Sequence, residues 1–266
     1  MITDGKPIVH HFPDRQAIEI WPVFDLHIGE PTHAADKWEA FYKSLLARDN
    51  AYVILGGDLM TNGTRNSPGN SVFESTLRPR QQKKLLVEML KPLADSGKIL
   101  CCTEGNHEFR SAKDCDIFLM EDVMAMLGLP DLYRENIVNM KLQFGNPHNN
   151  GQANPTYMMT VTHGSACGST GAVLNKAEKF GSPMNCDILV VGHSHKPAMS
   201  ALGRYHVDTR NNCSSVKPWL VVSATSWLEY AGYAMQRMMT PTCIAPQVIR
   251  LYGNKKEAEA VMKVAF

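Results

Sequence analysis

Five short apolar runs in this chain each stop at a compact set of side chains that bind metal or phosphate, and no other feature constrains the fold as much. Run 98–102 leads into Thr103-Glu104-Gly105-Asn106-His107-Glu108. The others lead into Asp25-Leu26-His27, Gly57-Asp58, Thr162-His163-Gly164 and Gly192-His193-Ser194-His195. Short apolar runs bounded by turn residues read as buried strands, so the donor groups are predicted to stand at strand ends. A single Asn-His pair is as readily a cap, a turn or a core filler. Repetition at five strand ends is what points to a shared site.

The pattern between these runs sets the fold class. Strand 18–24, with Pro22 expected at an edge, bend or strand start, precedes a helix over 34–48 on which Trp38, Phe41 and Leu45 form one stripe. Strand 52–55 is followed by a helix carrying Leu85, Leu86, Met89, Leu90 and Leu93, and then by strand 98–102. Strands alternating with helices predict a layered α/β domain with parallel strands and their loops on one rim. Further on, a helix is expected over 114–127, strands over 138–144 and 157–162, and a short helix within 164–179 capped by Thr170. Segment 145–155 reads as a turn-rich connection. Strands follow at 188–191, 204–208, 219–223 and 247–251, and segment 257–266 is expected in the outer layer. The strand-rich second half favours two stacked mixed sheets with helices outside over a single doubly wound sheet. Segment 60–79 is polar, with Asn62-Gly63 and Pro68-Gly69-Asn70, and reads as a long loop: a lid or binding loop on the substrate side, or a surface insertion.

Composition bounds the rest. No linker divides the 266 residues, so 1–266 reads as one domain. Apolar residues at 44% and charged residues at 20% suit a globular enzyme, and a net charge of +1 gives no general argument for wrapping nucleic acid or lying on an anionic membrane. No run approaches the roughly 18 apolar residues of a membrane span, and His10, His11, Pro13, Asp14 and Arg15 stand where a leader would need an apolar stretch. A cytoplasmic protein is expected. Seven cysteines, odd in number and without a Cys-x-x-Cys pair, argue against a disulfide scaffold. Cys167, four residues after His163, is the one thiol near a candidate donor.

Asp25 and His27, two apart at a strand end, can direct both side chains into one pocket. With Asp58, Asn106, His163, His193 and His195 they supply enough nitrogen and oxygen donors for two cations. Imidazole suits Zn, Fe or Ni, and carboxylate suits Mn and Mg, so the mixed set leaves the ion open. A carboxylate is a natural bridge between two such ions. A pair of ions about 3.5–4 Å apart polarises a phosphoryl group and activates water without a Ser or Cys nucleophile. The chain has no Gly-x-Ser-x-Gly elbow and no Gly-x-x-x-x-Gly-Lys loop.

In order, Asp25-Leu26-His27, Gly57-Asp58, Gly105-Asn106-His107-Glu108, His163-Gly164 and Gly192-His193-Ser194-His195 resemble the motif blocks of the calcineurin-like metallophosphoesterase superfamily. All five are present and span 25–195. The resemblance implies a four-layer α/β/β/α sandwich and a dinuclear, metal-dependent phosphoesterase using metal-activated water. It implies one metal held by Asp25, His27 and His195, and a second held by Asn106, His163 and His193, with Asp58 bridging. Mn is the first expectation, with Ni, Zn, Fe or Mg as alternatives. It further implies that His107 contacts a phosphate oxygen or protonates the leaving alkoxide, with Glu108 orienting His107.

Asn62 occupies the position where the protein phosphatases of this superfamily place an arginine, which weakens a phosphoprotein substrate. Arg65, Arg78 and Arg110 are candidate replacements, and Asn62 itself is a candidate substrate contact. A phosphodiester or nucleotide ester is the leading substrate. A DNA nuclease, a Ser/Thr-type phosphatase and a non-catalytic metal-binding scaffold for an unidentified protein partner remain as alternatives. Nucleic acid is the less favoured substrate because no basic run exceeds pairs such as Lys83-Lys84. His206 and Asp208 form a second His-x-Asp pair without a role in the resemblance. His10, His11, His33 and His148 read as surface histidines.

Overall fold

The computed structural model describes residues 5–67, 71–146 and 154–264. Its strands are β1 (Ile8–Phe12), β2 (Ala17–Val23), β3 (Ala51–Leu55), β4 (Ile99–Thr103), β5 (Tyr133–Arg134), β6 (Ile137–Phe144), β7 (Thr156–Thr162), β8 (Ile188–Val191), β9 (Ala198–Asp208), β10 (Cys213–Ser223), β11 (Gln247–Tyr252) and β12 (Ala258–Met262). The helices are α1 (Ala35–Leu46), α2 (Ser71–Glu74), α3 (Pro79–Asp95), α4 (Phe109–Cys115), α5 (Leu119–Met126), α6 (Thr170–Gly181) and α7 (Tyr233–Gln236).

The strands form two six-stranded mixed sheets, one in the order β1-β6-β7-β8-β10-β9 and the other β12-β11-β2-β3-β4-β5. Alternation along each strand explains the layering. Ile18, Ile20 and Ile54 point inward to meet Val138, Met140, Leu142, Ile188 and Val190 of the facing sheet. Their neighbours Trp21, Val23, Val53 and Leu55 point outward onto Trp38, Phe41 and Leu45 of α1 and Leu86, Leu90 and Leu93 of α3. On the far side, Leu189, Val191 and Val221 pack against Val173 and Ala177 of α6. Helices, sheet, sheet and helix are the four layers expected from the resemblance.

A bulge lies beside the site. Val53 pairs with Ile99 but Ile54 with Cys101, which leaves Leu100 as the extra residue of β4. Leu100 and Cys101 consequently both face the inner core, while Ile99 and Cys102 face the helices. The extra residue re-aims the end of β4, where the Asn106 turn begins.

Several expectations are corrected. The helix predicted over 114–127 is two helices: Asp116 adopts φ 58°, a left-handed conformation that Asp tolerates, and ends α4, while α5 starts at Leu119. Ser169, not Thr170, caps α6 by accepting the Ala172 N–H at 3.2 Å. Within 257–266, Ala258–Met262 do not continue an outer layer but form β12, which pairs antiparallel with β11 at the sheet edge, and 265–266 lie outside the described residues. Strand β2 is internal, although its pairing with β11 stops at Ile20, so Pro22 has a partner strand only in β3. Strands β9 and β10 extend well beyond 204–208 and 219–223 as a long hairpin.

His10 and His33 are partly buried rather than surface residues, with ring nitrogens 2.8 Å from Leu100 O and Leu26 O. Within 60–79, Met60, Thr61 and Asn62 are buried and α2 forms a helical turn. Pro68-Gly69-Asn70, His148 and most of the 145–155 connection lie outside the described residues.

Candidate metal centre

Parallel strands β2, β3 and β4 of one sheet and β7, β8 and β10 of the other end on the same rim. The turns after them are stitched together by backbone bonds. Asp25 N–H donates to Gly57 O at 3.1 Å, His27 N–H to Asp58 O at 3.0 Å, Gly192 N–H to His163 O at 3.0 Å and Trp227 N–H to Asp25 O at 3.0 Å.

The donor residues reach this rim through bent backbone. Asp25, His27, Asp58, His193 and His195 have φ of 48°, 50°, 52°, 64° and 54°. For residues other than glycine such conformations cost about 1–3 kcal/mol each and persist only where the surroundings enforce them. Gly105 has no room for a side chain, since a Cβ there would lie 2.1 Å from Asp58 N. Its absence lets the two donor turns touch.

The donors meet in overlapping groups. Asp25, His27 and His195 form one, and Asp58, His163 and His193 another, each with its ligand atoms within 4.8 Å of one another. In the first, His195 Nε2 lies 3.3 Å from both Asp25 Oδ1 and His27 Nε2. In the second, His163 Nε2 lies 3.2 Å from Asp58 Oδ2, 3.0 Å from His193 Nδ1 and 3.1 Å from Asn106 Oδ1. A third group of His27, Asp58 and His107 links them. The residues of the first group fit a cation by one observation: Asp25 Oδ1 is buried and makes no hydrogen bond of good geometry, with His195 Nε2 3.3 Å away, while its sister Oδ2 accepts the His193 N–H at 2.9 Å. A buried carboxylate oxygen without a donor is costly unless a cation neutralises it.

Second partners fix the imidazoles. His163 Nδ1 stands 2.9 Å from Gly56 O, to which it can only donate, so Nε2 faces the centre. Burial disfavours the charged form of His163, but the Asp58 carboxylate outweighs it and raises the pKa to about 10. Burial likewise opposes charge on Asp58, yet His163 and His107 hold it well below the usual carboxylate range. Burial pushes His27, His107 and His193 down. His195 is raised: burial works against its charge, and Asp25 prevails.

Glu108 does not orient His107. Its carboxylate is fully buried and accepts three backbone N–H groups, from Asp58 at 2.8 Å, Met60 at 2.8 Å and Gly105 at 3.2 Å. It binds the turn after β3 to the turn after β4. His107 is oriented instead by Thr61, whose carbonyl lies 2.8 Å from Nδ1. The same carbonyl accepts Arg110 Nη1 at 3.1 Å, which sets a guanidinium beside His107.

Asn62 is buried, and its amide is turned inward, donating to His107 O at 2.8 Å and Ser111 Oγ at 3.0 Å. Arg65 and Arg78 are exposed on the chain leading to α3. Cys167 is outside the donor groups; with Lys176 and Phe180 it lines a cavity of about 200 Å³ between α6 and the loops after β7 and β8. Asp208 of the His206 pair accepts the Arg210 and Asn211 N–H groups in the β9–β10 turn. The sequence gives no sign of the Thr61 and Gly56 carbonyls, because any residue carries one. Glu30 was also missed; burial, then the charge of Glu74, raises its carboxyl, with Arg110 opposing.

No family model and no curated protein sequence matches the chain. Solved structures similar to it include a calcineurin-like phosphoesterase, YfkN, from Bacillus subtilis, at 12% identity and TM-score 0.44, covering 93% of this chain and 90% of that one. A double mutant of Vps29 from Entamoeba histolytica is similar at 12% identity and TM-score 0.44, covering 93% and 100%. A predicted phosphoesterase from Streptococcus pneumoniae is similar at 11% identity and TM-score 0.37, covering 93% and 98%.

Proposed function

We propose that the chain is a metal-dependent phosphoric ester hydrolase acting on a phosphodiester or nucleotide-type ester. The observation that carries this reading is the convergence of two His/Asp groups on the rim, with Asp58 in one of them and in the group that links both. Asp25, His27 and His195 would hold one divalent cation, Asn106, His163 and His193 the other, and Asp58 would bridge them. Mn suits the mixed carboxylate and imidazole donors, with Ni, Zn, Fe and Mg as alternatives. When bound, such a pair supplies electrophilic charge to a phosphoryl group and makes an attacking water more acidic.

The chain's own residues do the rest. Asp58 places one carboxylate between the two donor sets. With Nδ1 held on Thr61 O, His107 directs Nε2 toward the centre, 3.9 Å from Asp58 Oδ2. Burial and then Arg110 disfavour the charged ring while the Asp58 carboxylate favours it; in its protonated form His107 carries the Nε2 proton that it would give to the departing alkoxide oxygen. Arg110, fixed to the same carbonyl, adds a permanent positive charge for a phosphoryl oxygen. Asn62, with its amide spent on the His107 turn, and the exposed Arg65 and Arg78 are weaker candidates for that contact. The inward turn of Asn62 also supports a diester or nucleotide over a phosphoprotein, since no arginine occupies that place. Seven free thiols, three of them exposed, support the reducing cytoplasm as the setting.

The test is hydrolysis of p-nitrophenyl phosphate and bis(p-nitrophenyl) phosphate after stripping metal and restoring Mn, Ni, Zn or Mg singly. Turnover restored by metal in the wild type and absent in Asp58→Ala supports the reading. Two bound ions without turnover on any ester would overturn it in favour of a metal-binding scaffold.

A further inference from the structure

Phe73 is 89% exposed, the most exposed aromatic side chain among the described residues. It is held there by a well-anchored segment. Ser75 Oγ, Thr76 N–H and Thr76 Oγ1 all donate to Gly29 O, at 3.0, 2.9 and 3.2 Å. The buried Gln82 locks the segment from beneath, donating to Ser75 Oγ at 3.0 Å and Leu77 O at 2.7 Å while its Oε1 accepts the Asn62 N–H at 2.9 Å. Gly29 lies two residues beyond His27, and Glu30 N–H donates to His27 O at 2.9 Å. The segment that follows the ring, Ser75 and Thr76, is thus tied to the turn that carries a metal-donor residue.

We propose that Phe73 is the stacking platform for the base of a nucleotide substrate whose phosphate sits at the metal centre. The proposal rests on the phosphoesterase reading and names its substrate class. A planar ring in water offers its face to any base, whatever the sequence. An acyl chain or an apolar helix would need a wider surface; next to Phe73 in the chain, Val72 is 40% exposed. Glu74 beside it and Glu30 on the supporting turn repel an anionic lipid surface, whereas carboxylates accept hydrogen bonds from base amino groups and ribose hydroxyls. A net charge of +1 favours a single nucleotide over a long strand tracked by its phosphates.

The test uses Phe73→Trp in the full chain with Mn²⁺. The four native tryptophans, Trp21, Trp38, Trp219 and Trp227, are no more than 4% exposed, so the new indole is distinguished by its red-shifted emission. Adenosine 5′-monophosphate should quench that emission, and ribose 5-phosphate should not, read by stopped flow before turnover. Calorimetric competition should show wild type preferring adenosine 5′-monophosphate over ribose 5-phosphate by about 5- to 150-fold, with the ratio falling to about one in Phe73→Ala. Equal binding of the two ligands by wild type, or an unchanged ratio in Phe73→Ala, overturns this inference alone. Failure of wild type to bind either phosphate also overturns this inference, and the phosphoesterase reading falls with it only if the metal-loaded protein hydrolyses neither p-nitrophenyl phosphate nor bis(p-nitrophenyl) phosphate.

Discussion

His107 and Asp58 are joined by the backbone of one and the side chain of the other: the His107 N–H donates to Asp58 Oδ1 at 2.7 Å, while Asp58 Oδ2 stands 3.2 Å from His163 Nε2. One carboxylate thus holds the turn that carries the candidate acid with one oxygen and faces the metal donors with the other. Asp58→Asn keeps the shape and removes the charge. It should lower metal occupancy and reduce turnover by about 10²-fold or more, the rate equivalent of several kcal/mol. Metal analysis of the dialysed protein beside its kinetics checks this.

His107→Ala should retain most of the metal, because the other donors remain. Turnover of an ester with an alkyl leaving group should fall by about 10²–10⁴-fold, and that of a p-nitrophenyl ester much less, since p-nitrophenolate leaves without a proton. Equal losses on both esters would refute the acid role. Loss of one ion would make His107 a ligand, as its grouping with His27 and Asp58 allows.

Glu108→Gln replaces a carboxylate that accepts three N–H groups with an amide that has one oxygen and presents its own N–H. Each buried donor left unpaired costs about 1–3 kcal/mol. Urea unfolding of the metal-free variant should show a loss of that order, with activity falling because the turns after β3 and β4 separate.

The proton on His163 predicts a pH dependence. Folded His163 is raised to about 10, against 6.5 for the free group, by Asp58 acting against burial. In metal-free protein its contribution to stability is fully present below about pH 6.5 and is lost as pH rises through about 10. A cation must displace this proton, so metal affinity should rise with pH by about tenfold per unit for each proton released. Isothermal titration in buffers of different ionisation enthalpy counts those protons.

The strand-end donors were legible because buried apolar runs and imidazole-rich turns are both local patterns. What joins them was not. Thr61 and Gly56 act through carbonyls, and Glu108 acts through backbone N–H groups 48 and 50 residues away. The hairpin extension at 213–218 was invisible because its residues are exposed and carry no alternation. Strand β1 was missed for a related reason: His10 and His11 interrupt its apolar pattern, yet it pairs with β6 through all five residues. Asp116 broke a helix by a backbone conformation that its neighbours' periodicity concealed.

Five of the donor residues hold left-handed backbone. A chain refolding in chelator must adopt each of these turns with only hydrogen bonds to favour them, whereas cations present during refolding reward the finished rim. Ion and backbone geometry are then parts of one cooperative transition, and the order of addition matters. Supplying Mn²⁺ before dilution from denaturant should give a higher yield of active protein than supplying it afterwards.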